Sequence, residues 1–102
     1  MKKNEKEGAE PKKIKCDFKH VMMEMKIDEF KETDLSIELG NEIHRMTSDI
    51  GLDELARKIY HDGMVEIEEW QAKVICQYVN HENSSFNIAA RQAITKVLTP
   101  KK

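Results

Sequence analysis

The side chains with the most reactive chemistry in this sequence are two cysteine–histidine pairs, Cys16-x3-His20 and Cys76-x4-His81. Together they hold two thiols and two imidazoles, donor types that suit a tetrahedral zinc ion. The spacing argues against such a site. A structural zinc ion draws its close pair from a knuckle or from one face of a helix, and a gap of five residues on a helix turns His81 away from Cys76. Cys76 also lies next to an apolar stripe, where a thiol packs as a small hydrophobe. The expectation is no metal site and two reduced thiols, since the cysteines lie far apart in a chain without an export signal.

Catalysis has equally little to build on. The sequence holds no Gly-rich phosphate loop, no HExxH, no GxSxG and no CxxC. Glu66, Glu68 and Glu69 cluster, but carboxylates at a helix start are usually partners of its dipole rather than a general acid and base. His61 with Asp62 has the form of half a proton relay. At a helix C-terminus, however, Arg57, Lys58 and His61 more simply complement the negative end of the dipole, and no nucleophile has to lie beside them. The reading is a protein that is not an enzyme, with no catalytic residue and no cofactor.

Two binding chemistries are left. The first is nucleic acid. Two helices around Gly63 invite a helix-turn-helix reading, yet the second helix would present Glu66, Glu68 and Glu69 to the phosphates, with no Lys or Arg between Lys58 and Lys73. A DNA-associated regulator would instead use the basic C-terminal part, Arg91, Lys96, Lys101 and Lys102, helped by the lysine-rich N-terminal tail. The second chemistry, and the favoured one, is protein–protein interaction. Met22, Met23 and Met25 are adaptable, polarisable side chains that suit a surface able to re-pack, although methionines at this spacing also serve as core filler. Between Glu24 and Glu42, a stretch that includes Glu29 and Glu32, seven acids stand against Lys26 and Lys31, whereas the first twelve and final twelve residues are net basic. Such asymmetry steers assembly with an oppositely charged protein or with a second copy.

These side chains must be held by elements. With 102 residues the chain has the size of one domain, and 35% charged against 39% hydrophobic residues makes much of it solvated surface. A net charge of −2 gives no global attraction to polyanions. Residues 1–13 carry five lysines and three glutamates without an apolar pattern or a signal-peptide core, and are expected to be a disordered tail. No run is long enough to span a bilayer, so the expectation is a cytoplasmic protein.

Over residues 14–30 two templates compete. Ile14, Cys16 and Phe18 alternate, as do Met23, Met25 and Ile27, while Ile14, Phe18, Val21, Met22 and Met25 also fit a helical stripe. Strand is preferred, with a turn or bulge near Lys19 and His20. Thr33 and Asp34 offer caps for a helix carrying Leu35, Leu39, Ile43, Met46 and Ile50, with Gly51 in the left-handed position behind it. Gly40 inside that helix implies the close approach of another backbone or an early end. A second helix, about Asp53 to His61, places Leu52, Leu55, Ala56, Ile59 and Tyr60 on one stripe and stops at Asp62-Gly63. Met64 to Ile67 is short and β-branched and can pair with the N-terminal strand. Ile67, Trp70, Val74, Ile75, Tyr78 and Val79 make a third stripe, and Phe86, Ala90, Ala93, Ile94 and Val97 a fourth, ended by Pro100.

The runs Asp34-Leu35-Ser36, Leu39-Gly40-Asn41-Glu42-Ile43, Asp53-Glu54-Leu55-Ala56-Arg57-Lys58-Ile59-Tyr60 and Gly63-Met64-Val65-Glu66-Ile67 resemble a pattern in small proteins of bacterial phages and integrated mobile elements. The resemblance covers about a third of the chain and carries no activity. It implies a bacterial or prophage source and work as an assembly factor or regulatory adaptor. The combined expectation is a mostly α, α+β domain over residues 14–99 with about four helices and one or two short N-terminal strands, followed by a flexible 100–102. Its expected core is Leu39, Ile43, Leu55, Ile59, Trp70, Val74, Tyr78, Phe86, Ile94 and Val97. Its expected function is non-catalytic binding of another protein or of itself.

Overall fold

The computed structural model describes residues 13–99. In chain order they form β1 (Lys13–Asp17), β2 (Val21–Lys26), β3 (Glu29–Thr33), α1 (Ser36–Met46), α2 (Ile50–Asp62), β4 (Met64–Glu68), α3 (Glu69–Val79) and α4 (Ile88–Leu98). Four helices and two small antiparallel sheets make an α+β domain, as the apolar periodicity implied. The tail expected over 1–13 lies outside the described residues except for Lys13, which opens β1. The stretch 100–102 also lies outside them. Among the described residues no helix is long and apolar enough to cross a membrane.

Residues 14–30 resolve in favour of strand. β1 pairs antiparallel with β4, from Lys13 opposite Glu68 to Asp17 opposite Met64, which is the expected pairing of Met64–Ile67 with the N-terminal strand. This register sets Lys15 against Glu66 and Lys13 against Glu68, so two acids of the 66–69 cluster have cross-strand cationic neighbours. Glu66 therefore sits on a strand, not in the first turn of a helix. The bend between β1 and β2 needs no Gly or Pro. Asp17 Oδ1 accepts the Lys19 N–H at 3.0 Å, an Asx-type turn. Phe18, fully buried, donates its N–H to the Gly63 carbonyl and accepts the Leu35 N–H on its own carbonyl, both at 2.8 Å. One aromatic residue thus ties the end of α2 to the approach of α1.

The first helix is shorter than its stripe suggested. Asp34 Oδ1 accepts both the N–H of Ser36 at 3.0 Å and its hydroxyl at 2.6 Å, which fixes the entry to α1. The helix ends at Met46, and Ile50 belongs to α2 with 78% of its surface exposed. Side-chain capping wins here over apolar period. Thr47 Oγ1 accepts the Asp49 N–H at 3.0 Å and Asp49 Oδ2 accepts the Leu52 N–H at 2.9 Å, so a new helix starts where the stripe would have continued. Gly51 consequently lies inside the first turn of α2 and not in a left-handed cap. The stop expected at Asp62-Gly63 is present, and there Gly63 takes the left-handed cap, with φ 76° and its N–H on the Ile59 carbonyl at 2.9 Å.

Gly40 has the close neighbour its position implied. A Cβ there would lie 2.8 Å from the Ala56 carbonyl oxygen and 2.9 Å from Tyr60 Cβ, so α1 and α2 touch backbone to backbone at this point. Leu39, Ile43, Leu55, Ile59, Phe86 and Ile94 are buried as expected, and Val74, Tyr78 and Val97 pack partly buried against them. Trp70 is not a core residue. Ile67 is on β4, so the helical phase begins only at Glu69, and the buried face of α3 is Ala72, Ile75 and Val79. Trp70 is left 51% exposed, its indole N–H on Glu68 Oε1 at 3.0 Å. Glu68 also caps α3, its side chain taking the Gln71 N–H while Gln71 Oε1 accepts the Glu68 N–H at 3.0 Å.

Candidate protein-interaction surface

The residues singled out for interaction lie on the β2–β3 hairpin, and its pleat divides them. Val21 and Met23 turn inwards and are buried, so Met23 is core and not surface. Met22 and Met25 remain about half exposed, at 54% and 55%. Glu29 and Glu32 are exposed on β3. Across the ladder Met22 stands opposite Glu32 and Glu24 opposite Phe30, which places Met22, Glu24, Phe30 and Glu32 on one face. Met25 occupies a register irregularity between Glu24 and Lys26, so its side chain leaves the regular alternation.

Two residues of this surface were not foreseen as such. Ile27 at the hairpin tip is 88% exposed and Phe30 is 52% exposed. The signal for Phe30 was available: it is the one apolar residue of Glu29-Phe30-Lys31-Glu32-Thr33, so no second inward-facing residue could hold that strand on a core. The tip is set by Asp28, at φ 66°, whose N–H is taken by Glu24 Oε2 at 2.6 Å. Beside the hairpin lies a shallow notch of about 60 Å³, where Met22, Glu24 and Phe30 meet Ala89, Gln92 and Lys96 of α4.

Arg91 and Lys96, the basic candidates among the described residues, are placed differently. The Arg91 guanidinium is spent inside the fold, with Nε donating to the Phe86 carbonyl at 2.9 Å and Nη2 to the Ser84 carbonyl at 3.3 Å. Lys96 is exposed on α4 at the rim of the hairpin notch. Lys101 and Lys102 lie outside the described residues. The helices flanking Gly63 are separated by β4, so they are not a helix-turn-helix pair.

The two cysteine–histidine pairs are pulled apart. Cys16 is buried with Sγ 3.7 Å from the Val97 carbonyl, whereas exposed His20 is held at Asp17 Oδ2, 2.9 Å away. Burial, and then the nearby Cys76, push the Cys16 thiol up to about 11, which leaves it protonated and unreactive. Cys76 is half-buried and raised by the same desolvation, and His81 Nδ1 accepts the Asn83 N–H at 3.0 Å. Among the described residues no three His, Cys, Asp or Glu side chains converge to hold an ion.

A second concavity, of about 220 Å³, runs between α1 and α2 over Gly40 and is lined by Asn41, His44, Arg57, Tyr60 and His61. Asp53 bridges its wall, accepting from Arg57 Nε at 3.1 Å and meeting His44 Nδ1. The His44 hydrogen bond, with Arg57 behind it, holds the Asp53 carboxyl below its ordinary range. Among the described residues no Ser, Thr or Cys lines the groove. Its polar side chains stitch two helices together across a surface groove. Comparison of the chain with protein-family models, with curated proteins and with solved structures found no match.

Proposed function

We propose that this protein is a non-catalytic binding module whose docking element is the β2–β3 hairpin. One observation carries the reading: Met22, Met25, Ile27 and Phe30, each more than half exposed, crowd a two-stranded ribbon that gives only Val21 and Met23 to the core. Exposed apolar residues scattered singly mean little, but four on one short ribbon, with Met22 and Phe30 on the same face among Glu24, Glu29, Lys31 and Glu32, have the make-up of a protein interface. The resemblance of the central runs to small phage and mobile-element proteins supports the further reading of a bacterial, cytoplasmic assembly factor or adaptor. The alternative, a DNA-associated regulator using α4, loses support because Arg91 is engaged with the backbone of the preceding loop.

The experiment is a comparison of partner capture by the unaltered chain and by the Met25→Lys plus Phe30→Lys variant. Both positions are exposed, so unfolding should shift by no more than about 0.5 kcal/mol per site. The reading expects capture of a defined partner to be lost while the melting curve holds. Equal capture by the variant would refute it, and binding to generic duplex DNA that falls steeply with salt would favour the regulator.

A further inference from the structure

We infer that the partner of the hairpin is a second copy of this chain, joined by antiparallel pairing of β3 with β3′ across a two-fold axis at Phe30. The inference rests on the docking role of the hairpin and names its occupant. Among the described residues β3 has one ladder partner, β2, on one side only. Among these residues its outer row of N–H and C=O groups is unpaired, a template for another strand. All five of its side chains are exposed or half-exposed, and among the described residues only α4 lies near it, across the notch beside Phe30.

Symmetry restricts the register. A two-fold axis normal to the sheet keeps every residue on its own face, so the axis must pass through one residue of the strand, which then meets itself. With the axis at Lys31, two ammonium groups oppose each other; at Glu29 or Glu32, two carboxylates do. With the axis at Thr33, residues 29–32 would face 34′–37′, which lead into α1 and are not strand. With the axis at Phe30 the two rings meet, and Lys31 stands opposite Glu29′ on both sides of them. Opposite charges directly across a ladder stabilise and like charges destabilise, so charge selects this register from those that remain. Glu32 then points toward the partner's Asp28, a like charge, but Asp28, at φ 66°, lies in the turn beyond the end of β3 and outside the ladder. Met22, which lies diagonally across from Phe30 on the same face, extends the apolar strip of the resulting four-stranded sheet β2–β3–β3′–β2′. A two-stranded ribbon is marginal by itself, and doubling it supplies the neighbours that such ribbons ordinarily need.

Sedimentation equilibrium of the full chain over a dilution series tests this with a charge swap. Self-association is expected for the unaltered protein, weakened about tenfold by Lys31→Glu or by Glu29→Lys, because each change turns two attractions into two repulsions. The double variant Lys31→Glu plus Glu29→Lys should regain the original association, and an equimolar mixture of the two single variants should form heterodimers. Circular dichroism of each variant checks that the fold persists. A chain that is monomeric throughout, or a double variant that does not recover, overturns the proposal. If the chain is monomeric and Met25→Lys plus Phe30→Lys still abolishes capture of another protein, self-pairing fails alone and the docking role stands. If neither association nor capture depends on the hairpin, both fail.

Discussion

At the scale of single residues, the carboxylate of Glu42 shows how an acid becomes structural. It is 3% exposed, accepts the Ser85 N–H at 3.1 Å and hydroxyl at 2.9 Å, and is met by Arg45 Nη2 at 2.8 Å. The same Arg45 nitrogen donates to the Asn83 carbonyl at 3.0 Å, so α1 is fastened to the loop before α4. Burial raises the Glu42 pKa, but the bonds from Arg45 and Ser85 together outweigh it and hold the group below its ordinary 4.5. Replacing it, Glu42→Ala, should cost about 2 kcal/mol in denaturant unfolding near neutral pH. Because the folded pKa is the lower one, the charge-dependent part of that contribution is complete above about pH 4.5 and is lost as pH falls through the folded value. The gap between variant and parent should therefore narrow in acid; a gap unchanged by pH would mean that the charge contributes nothing. In sequence Glu42 was one acid among seven in its stretch, and nothing local marked it. Its partner Ser85, and the Asn83 carbonyl that Arg45 reaches, are about forty residues away, and only the folded chain brings them near. Cys16 was more legible, since it alternates with Ile14 and Phe18 in the expected strand, and on β1 it is buried.

At the scale of elements, legibility followed the source of the signal. Helices α2 and α4 were readable because an apolar stripe and a terminal signal agreed, Gly63 for one and Pro100 for the other. The α1 stripe outran the helix because Ile50 fits the period equally well, while the caps at Thr47 and Asp49 decide where the backbone breaks. The error at Trp70 arose differently. The period was right, but its origin was placed at Ile67, a residue that β4 holds in strand phase. Gly40 was legible as a point of contact without its partner being so. Gly40→Ala should destabilise by roughly 1–3 kcal/mol, since the atoms a methyl would meet belong to the α2 backbone and the stiff base of Tyr60. Thermal unfolding checks it, and an unchanged or raised Tm would show that α1 and α2 can separate freely at this crossing.

At the scale of the whole molecule, the core is gathered where α1, α2, α3 and α4 meet β1, β4 and the inner face of β2. β3 contributes no buried residue to it. The hairpin therefore shows the outside a cluster that the interior has no use for, and composition anticipated this only in part, through Met22, Met25, Glu29 and Glu32. Met23 was misjudged because three closely spaced methionines carry no sign of which face of a strand each takes until the register is known. The central claim is that this hairpin is where another polypeptide docks, and a photo-crosslinking residue placed there tests it most directly. The change Phe30→benzoylphenylalanine is near-isosteric at a 52% exposed site, and Ile37→benzoylphenylalanine, 51% exposed on α1, is the matched control. Irradiation in source cells should give a discrete polypeptide adduct from position 30 and none from position 37; no adduct at 30, or the same adducts at both, would contradict the account.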